Sequence, residues 1–258
     1  MNVVSFFDGM SCGQIALKKL DIDVKNYYSY EIDKYTIKIT QKNFPETNQM
    51  GSVINADLSQ LPTNIDLLMG GSPCQDLSGL KNDGKGLSGE KSKLLLEFIK
   101  AKNELKPKYF LLENVVPRKK EWKEEIDKLM GVEGFFINSD LFVQQNRPRY
   151  YWTNIPIEQL PTRPDWNGKY FQYRRTYFRE NKSGLCPCLT ANMGTGGHNV
   201  PLKSENLTDK LTPVECEKLQ GIPTNYTNGV SNTQRYKMIG NGWTVDVIEH
   251  ILKGLNKK

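Results

Sequence analysis

Residues 2–13 read NVVSFFDGMSCG and describe a strand, a tight turn and the start of a helix. The apolar run ends at Asp8-Gly9, and the apolar residues that follow up to Leu20 recur with helical spacing. Glycine tolerates backbone torsions and close approach that other residues cannot. This stretch therefore predicts the first strand-turn-helix unit of an α/β fold, with its turn open to a ligand.

Strands and helices alternate along the next 140 or so residues in the same way. Strands are predicted at residues 24–30, 53–54, 65–69, 109–112, 135–143 and 150–153, and helices at residues 35–44, 92–105 and 121–130. This alternation indicates an α/β fold whose mostly parallel sheet is covered by helices on both faces. Such sheets bind ligands at the carboxyl ends of their strands.

Composition changes after Trp152. Seven prolines and six glycines between residues 156 and 223 break up any long helix, so a small irregular lobe is expected there. Helical spacing returns at residues 245–255, after the turn Gly240-Asn241-Gly242. We therefore predict a main domain of residues 1–151 that is completed by residues 236–258, with residues 152–235 forming a second region.

Composition also excludes several classes of protein. The chain has 258 residues and a formal net charge of +6, and a chain of this length buries a sizeable core without disulfides or a structural metal. Five cysteines are an odd, sparse set, which favours reduced thiols inside a cell. No apolar run approaches the roughly 18 residues that a membrane span requires, and Asp8 interrupts any secretory signal. We expect a cytoplasmic protein.

Positive charge is concentrated in one segment. Six of the eight arginines lie between Arg147 and Arg179, together with nine aromatic residues. Guanidinium groups bind phosphates and guanine edges, and aromatic rings stack on bases. The segment therefore indicates a nucleic-acid contact surface; the alternative is an ordinary solvated basic surface beside core aromatics.

Two reactive side chains follow neighbouring strands. Cys74 comes after Gly71-Ser72-Pro73 at the tip of the fourth strand, and Glu113 ends the next strand. A cytosolic cysteine is more often a buried packing residue, but a nucleophilic thiol beside a carboxyl group is a workable active site. Arg147 and Arg149 occupy alternate positions of an extended segment, so both are predicted to face the same crevice.

Glu31 suggests an adenosyl cofactor. It lies 22 residues after Gly9, at the end of the second strand, where an acid can accept hydrogen bonds from a ribose. The alternative is a purely structural turn. The dinucleotide spacing G-x-G-x-x-G is absent, which argues against a nicotinamide enzyme.

Two further patterns are rejected. Residues 79–86 almost match a phosphate-binding P-loop, but Gly86 replaces the Ser or Thr that binds magnesium, which excludes an NTPase. We expect this glycine-rich segment to form a mobile lid beside Cys74. Cys186-Pro187-Cys188 and His198 lack zinc-ligand spacing, so no metal is expected.

Six motifs in series resemble those of the DNA cytosine-5 methyltransferase family. They are Phe7-Asp8-Gly9, Gly71-Ser72-Pro73-Cys74-Gln75, Glu113-Asn114-Val115, Gln145-Asn146-Arg147-Pro148-Arg149, residues 211–223 and Gly240-Asn241-Gly242-Trp243-Thr244-Val245. The compact length is similar to that of bacterial and phage members, and the local sequence around Cys74 and Trp243 is similar to that of the animal de novo enzymes. Met10-Ser11-Cys12 departs from the further glycines that bacterial members usually carry.

The resemblance implies a Rossmann-like, S-adenosylmethionine-dependent methyltransferase fold, with residues 1–151 and 236–258 catalytic and residues 152–235 a target-recognition region. It implies methyl transfer to C5 of a cytosine flipped out of double-stranded DNA, through a covalent bond between Cys74 and C6. Glu113 would protonate N3, and Arg149 with Arg147 would hold O2 and the flanking phosphate.

The same resemblance implies two binding sets. The cofactor set is Phe7, Asp8, Gly9, Met10, Ser11, Glu31, Ile32, Asp57, Leu58, Ser72, Pro73, Leu94, Asn241 and Trp243. The DNA set is Gln75, Ser78, Arg163, Arg174, Arg175 and Arg179. S-adenosylhomocysteine would be the second product.

Alternatives stay open at this point. A tRNA cytosine-5 methyltransferase would share the fold, although the Cys-Phe-Thr tripeptide of those relatives is missing. A catalytically silent DNA-binding regulator would share the basic segment, although Cys74 and Glu113 are intact. We expect a monomer; the recognition sequence, and whether a cognate restriction endonuclease accompanies the protein, cannot be read from the chain.

Overall fold

The computed structural model describes residues 1–73, 93–174, 176–195 and 200–256. The α/β architecture that the alternation predicts is confirmed. The strands are β1 (Asn2–Phe6), β2 (Asn26–Tyr30), β3 (Asn48–Gln49), β4 (Leu67–Gly71), β5 (Tyr109–Val115), β6 (Phe135–Asn138), β7 (Pro148–Thr153), β8 (Phe171–Tyr173) and β9 (Phe178–Glu180). The helices are α1 (Cys12–Lys19), α2 (Lys34–Asn43), α3 (Lys93–Leu105), α4 (Lys120–Met130), α5 (Pro213–Lys218), α6 (Asn232–Asn241) and α7 (Val245–Leu252).

Seven strands form one mixed, mostly parallel sheet in the order β3-β2-β1-β4-β5-β7-β6. Only β7 runs antiparallel to its neighbours in this sheet. The register places Phe6 beside Tyr30 and Gly70, and places Gly71 beside Glu113. The carboxyl ends of β1, β2, β4 and β5 therefore meet at one edge, where parallel sheets bind ligands.

Alternate residues of each strand enter different halves of the core. Val3, Leu67 and Leu111 belong to one cluster, which includes buried residues of α1 and α7. Val4, Leu68 and Leu112 belong to the other, which includes buried residues of α3 and α4. Since strand side chains alternate between faces, continuous apolar runs pack on both sides, as expected of a buried parallel sheet.

Two predicted strands are wrong in extent. Residues 53–54 form no strand; Val53 is buried in a turn, and the two-residue strand β3 pairs with Tyr28 and Ser29 instead. The strand predicted over residues 135–143 ends at Asn138, because Asn138 and Ser139 turn to bind the backbone of Arg147. Polar side chains that bond to nearby backbone compete with strand pairing.

The region predicted to be irregular, residues 152–235, contains helix α5 and the beginning of α6. α5 begins with a capping box between Thr212 and Glu215, and α6 begins at the Ser231 cap. Cys216 and Leu219 join the core cluster that also contains residues of α1 and α7. The division at residues 151 and 236 stays a prediction. Within the described residues, no helix has both the length and the apolar content to cross a membrane.

Candidate active site

A cavity of about 450 Å³ lies at the carboxyl edge of the sheet. Its walls combine the ends of β1, β2, β4 and β5 with residues from α2 and α6. Ten residues of the predicted cofactor set line it: Phe7, Asp8, Gly9, Glu31, Ile32, Ser72, Pro73, Leu94, Asn241 and Trp243. A concave site of this size is typical of small-molecule binding.

The turn after β1 is tied to the end of β2 by Glu31. Gly9 adopts φ +59°, a left-handed conformation that favours glycine, and its amide donates to Glu31 Oε2 at 2.8 Å. The other oxygen, Oε1, accepts from the amides of Ile32 at 2.7 Å and Asp33 at 2.8 Å. Three backbone donors thus fix the carboxylate at the cavity wall, where its remaining lone pairs can accept from a ligand.

Asp8 is a buried carboxyl group at the floor of this turn. Burial raises its pKa above the ordinary value of 3.8, although hydroxyl donors partly oppose the shift. Tyr27 donates to Oδ1 at 2.7 Å, Ser29 donates to Oδ2 at 2.9 Å, and Ser11 also donates to Oδ2. Asp8 is therefore held by internal partners, even though it lines the cavity.

Four residues of the predicted cofactor set do not line the cavity. Met10 and Leu58 are buried in the two halves of the core, and the Ser11 side chain is buried against Asp8. Asp57 caps a short 3-10 helix by accepting from Ser59 and Gln60. The side chains of Ser11 and Asp57 thus have local partners, and the assignment of these four residues to the cofactor stays a prediction.

The cavity also has walls outside the predicted cofactor set. They include Tyr30, Thr36, Gly51, Ser52, Val53, Ile54, Asn114, Val115 and Lys237. Lys237 of α6 forms a 2.6 Å ion pair with Asp33, the N-cap of α2. Asp33 could be suspected from the sequence only because it follows Glu31 and Ile32 at the end of β2. No sequence pattern links it to Lys237, which lies 204 positions further along the chain.

Glu113 lies at the end of β5 with both carboxylate oxygens engaged. Arg149 Nε is 2.8 Å from Oε1, and the Trp243 indole donates to Oε2 at 3.1 Å. Asn114, beside it, donates to Ser72 Oγ at 2.9 Å and so fastens the end of β5 to the end of β4. The predicted residues Cys74, Gln75 and Ser78 and the predicted glycine-rich lid lie outside the described residues, which reach this edge as far as Pro73.

Arg147 and Arg149 both line the cavity, but Arg147 also has partners inside the protein. Its guanidinium is buried and donates to the carbonyl oxygens of Leu189 at 2.8 Å, Gly240 at 3.1 Å and Gly242 at 2.8 Å. Gly240 and Gly242 are at the carboxyl end of α6, where a cation is favoured. Arg149 therefore reaches Glu113, whereas Arg147 holds the backbone around the site.

A family model identifies the class of protein that contains this site. The model of the C-5 cytosine-specific DNA methylase family matches residues 1–155 and 139–257.

The chain belongs to the C-5 cytosine-specific DNA methylase family.

Curated relatives of this methylase include two bacterial enzymes. The type II methyltransferase M.Bsp6I of Bacillus sp. is 28% identical, over 100% of this chain and 99% of its own. The type II methyltransferase M.NlaX of Neisseria lactamica is 26% identical, over 96% of this chain and 94% of its own. The solved structure of the Entamoeba histolytica methyltransferase EhMeth matches the fold with a TM-score of 0.72 at 18% identity, covering 99% of this chain and 97% of that one.

The thiols of this methylase that the structure describes differ in acidity. Burial raises the pKa of Cys12 to about 12 and that of Cys216 to about 12, and it also raises the pKa of Cys186. Burial opposes ionisation of Cys188 too, but the guanidiniums of Arg147 and Arg149 outweigh it and hold its pKa below the ordinary value of 9.0. Cys188 does not line the cavity.

None of the predicted DNA-contacting arginines that the structure describes lines the cavity. Arg163 pairs with Asp140 at 3.0 Å. Arg174 lies at the tip of the β8–β9 hairpin and donates to Gln172 at 2.9 Å, while Arg179 is exposed on β9. Arg175 lies outside the described residues. Of the predicted DNA set, Arg174 and Arg179 therefore lie exposed on the β8–β9 hairpin.

Proposed function

We propose that this methylase transfers a methyl group from S-adenosylmethionine to C5 of a specific cytosine in double-stranded DNA, through a covalent bond between Cys74 and C6. The observation that carries the proposal is the Glu113–Arg149 pair, held at 2.8 Å beside the cavity at the carboxyl edge of the sheet. A carboxyl group and a guanidinium there supply the proton donor and the positive charge that addition to a pyrimidine requires.

The cavity suits an adenosyl group. Glu31 offers a fixed carboxylate to a ribose, as the backbone donors on both its oxygens show. Ile32 and Ile54 line the cavity with 76% and 57% of their surface exposed, which leaves apolar area for a purine ring to cover. Bound S-adenosylmethionine supplies an electrophilic sulfonium methyl group.

The chain's own residues would perform the remaining chemistry. The Cys74 thiolate adds to C6, and the ring electron pair displaced toward N3 takes a proton from Glu113. Arg149 neutralises the negative charge that Glu113 then carries and keeps the carboxylate in place. C5 becomes nucleophilic and takes the methyl group; loss of the C5 proton to a base then expels the thiolate.

The β8–β9 hairpin is the proposed DNA-contacting element of the recognition region. Its tip carries Arg174 and the 58% exposed Tyr177, and Arg179 follows on β9. A two-stranded ribbon is narrow enough for the major groove, and arginines on it can reach phosphates and guanine edges. The target cytosine must leave the stack, at a cost of a few kcal/mol.

The test begins with bisulfite sequencing of DNA from a host that expresses the protein, which gives the methylated base and its sequence context. Duplex oligonucleotides with 5-fluorocytosine at that base should then trap a covalent complex, because fluorine at C5 cannot leave as a proton. Peptide mass spectrometry must place the bond on Cys74. A bond on Cys188, or no adduct, would refute the nucleophile assignment.

Variants sharpen the same experiment. Cys74→Ala should form no adduct and still bind DNA. Glu113→Gln keeps the shape but removes the proton donor, and should slow adduct formation by about 100-fold or more. Glu121→Gln, on α4 away from the cavity, is the matched control. Methyl transfer to tRNA with none to duplex DNA would instead favour the tRNA enzyme, and DNA binding without any transfer would favour the silent regulator.

We also infer a monomer, because the Glu113–Arg149 pair and ten residues of the predicted cofactor set meet at a single cavity within the chain. The type II names of M.Bsp6I and M.NlaX support a companion restriction endonuclease. Light scattering on the purified protein tests the first inference, with 29.5 kDa as the expected mass.

A further inference from the structure

Trp243 connects the cofactor cavity to the catalytic carboxyl group. It lines the cavity, and its indole N–H donates to Glu113 Oε2 at 3.1 Å. Arg149 already holds the other oxygen. The terminal torsion angle of a glutamate side chain has a broad range of accessible values. One hydrogen-bond donor therefore leaves the carboxyl plane free to rotate, whereas a donor on each oxygen fixes that plane.

Gly71 leaves the space that this contact occupies. A Cβ at Gly71 would lie 2.5 Å from the indole Nε1 and 2.9 Å from Glu113 Oε2, closer than real Cβ contacts come. Gly71 is paired in register with Glu113 at the end of β4. The absence of a side chain on β4 therefore lets the indole reach Glu113.

The residues on both sides of Trp243 are anchored by buried polar groups. The carbonyl oxygen of Gly242 accepts from Arg147 at 2.8 Å and from Gln220 at 3.1 Å. The hydroxyl of Thr244 donates to Gln220 Oε1 at 2.9 Å. Gln220 is completely buried. These bonds hold the indole in one place, a requirement for a group that orients another.

We propose that Trp243 is a positioning residue for Glu113: its indole N–H fixes the carboxyl group in the orientation that delivers a proton to the cytosine. This inference rests on the proposed function. It assigns the indole a role that is independent of cofactor contact, and so makes Trp243 part of the addition step as well as part of the cavity wall.

Exchange of the C5 hydrogen isolates that step. Thiolate addition at C6 makes C5 basic; C5 then takes a proton from water, and tritium leaves as the thiolate departs, giving back cytosine. Duplex DNA amplified with [5-³H]dCTP therefore releases tritiated water without an added methyl donor. Trp243→Phe keeps the aromatic ring, and should lower this release by about 10-fold or more through misorientation of Glu113.

A double-mutant cycle shows whether the indole acts through Glu113. In the Glu113→Gln background, Trp243→Phe should cause little further loss, because the group that it orients is already inactive. Gly71→Ala, which crowds the same contact, should reproduce the loss of exchange. Trp122→Phe, on α4 outside the cavity, is the matched control and should exchange normally.

The possible results distinguish failure of the positioning role from failure of the proposed function. Exchange within about 2-fold of the unaltered protein in folded Trp243→Phe, or full additivity with Glu113→Gln, overturns the positioning role. Absence of both exchange and the 5-fluorocytosine adduct in the unaltered protein contradicts the proposed function itself. Thermal unfolding and S-adenosylhomocysteine binding establish that each variant is folded; if Trp243→Phe is not, Gly71→Ala decides.

Discussion

At the scale of single residues, Asp8 shows how a carboxyl group can line a cavity without being exposed to solvent. Burial raises its pKa, and the hydroxyl groups of Tyr27 and Ser29 donate to it. Because the folded state holds the Asp8 proton more strongly than the unfolded state, this group favours folding at acid pH. That contribution is lost as pH rises from the ordinary value of 3.8 through the raised one.

Asp8→Asn should remove this dependence. The amide is neutral at every pH and its oxygen can still accept from Tyr27, so the variant should gain stability relative to the unaltered protein as pH rises above 3.8 toward neutral. Urea unfolding at several pH values measures the difference in free energy of unfolding. Curves for the two proteins that stay parallel across this range would contradict the buried-carboxyl account.

Sequence reasoning identified the residues whose position follows from strand ends. Glu31 and Glu113 were predicted because parallel strands bring their carboxyl ends together, and both line the cavity. Asp57 and Arg147 show which contacts cannot be predicted from the sequence. Whether a carboxylate caps a 3-10 helix, or a guanidinium binds the end of α6, depends on partners that the sequence does not place nearby.

At the scale of elements, the β8–β9 hairpin is short and held by few contacts. Its strands pair over three residues each, and Tyr173 packs on Phe178 with ring centroids 5.3 Å apart. The tip residues Arg174 and Tyr177 are linked by a 2.8 Å backbone hydrogen bond. Arg174 and Arg179 are exposed on this ribbon, and no residue of β8 or β9 belongs to either core cluster.

Arg174→Ala combined with Arg179→Ala should therefore weaken DNA binding without unfolding the protein. Each lost phosphate contact should reduce the slope of log affinity against log salt by about 0.9. Fluorescence anisotropy with a labelled duplex at several salt concentrations measures that slope. Lys100→Ala combined with Lys128→Ala, two exposed lysines on α3 and α4, is the charge-matched control. If the slopes of the two double variants change equally, the hairpin does not contact phosphate.

Short elements were also the ones that sequence patterns placed least well. The long apolar runs of β1, β4 and β5 are largely buried on both faces, and their ends were predicted within three residues. The strand β3 consists of Asn48 and Gln49, residue types that seldom favour strands, and it exists because the edge of β2 is available for pairing. Tertiary contact, and not local preference, forms such strands.

At the scale of the whole molecule, Arg147 connects three separate parts of the chain. From the start of β7 it binds the carbonyl oxygens of Leu189, Gly240 and Gly242. Burial lowers the pKa of this guanidinium, and the carbonyl dipoles compensate part of that cost. Residues around β7, the segment near Leu189 and α6 are thus held together at one buried point.

Arg147→Lys should destabilise the fold by about 2–4 kcal/mol, because an ammonium group cannot reach all three carbonyl groups and leaves some unsatisfied. Urea unfolding measures the change. Lys120→Met, whose side chain is 85% exposed, is the control and should alter stability by less than about 0.5 kcal/mol. Equal small effects in both variants would show that the buried guanidinium is not a structural link.

The cavity is built from both ends of the sequence, since Phe7 and Gly9 face residues 237–243 of α6 and the turn after it. α1 and α7 complete the arrangement by packing together, with Lys19 paired to Asp246 and Glu249. A chain emerging from the ribosome therefore lacks one wall of the cavity until residues 237–243 have been translated. The amino-terminal strands alone cannot form this cavity during synthesis.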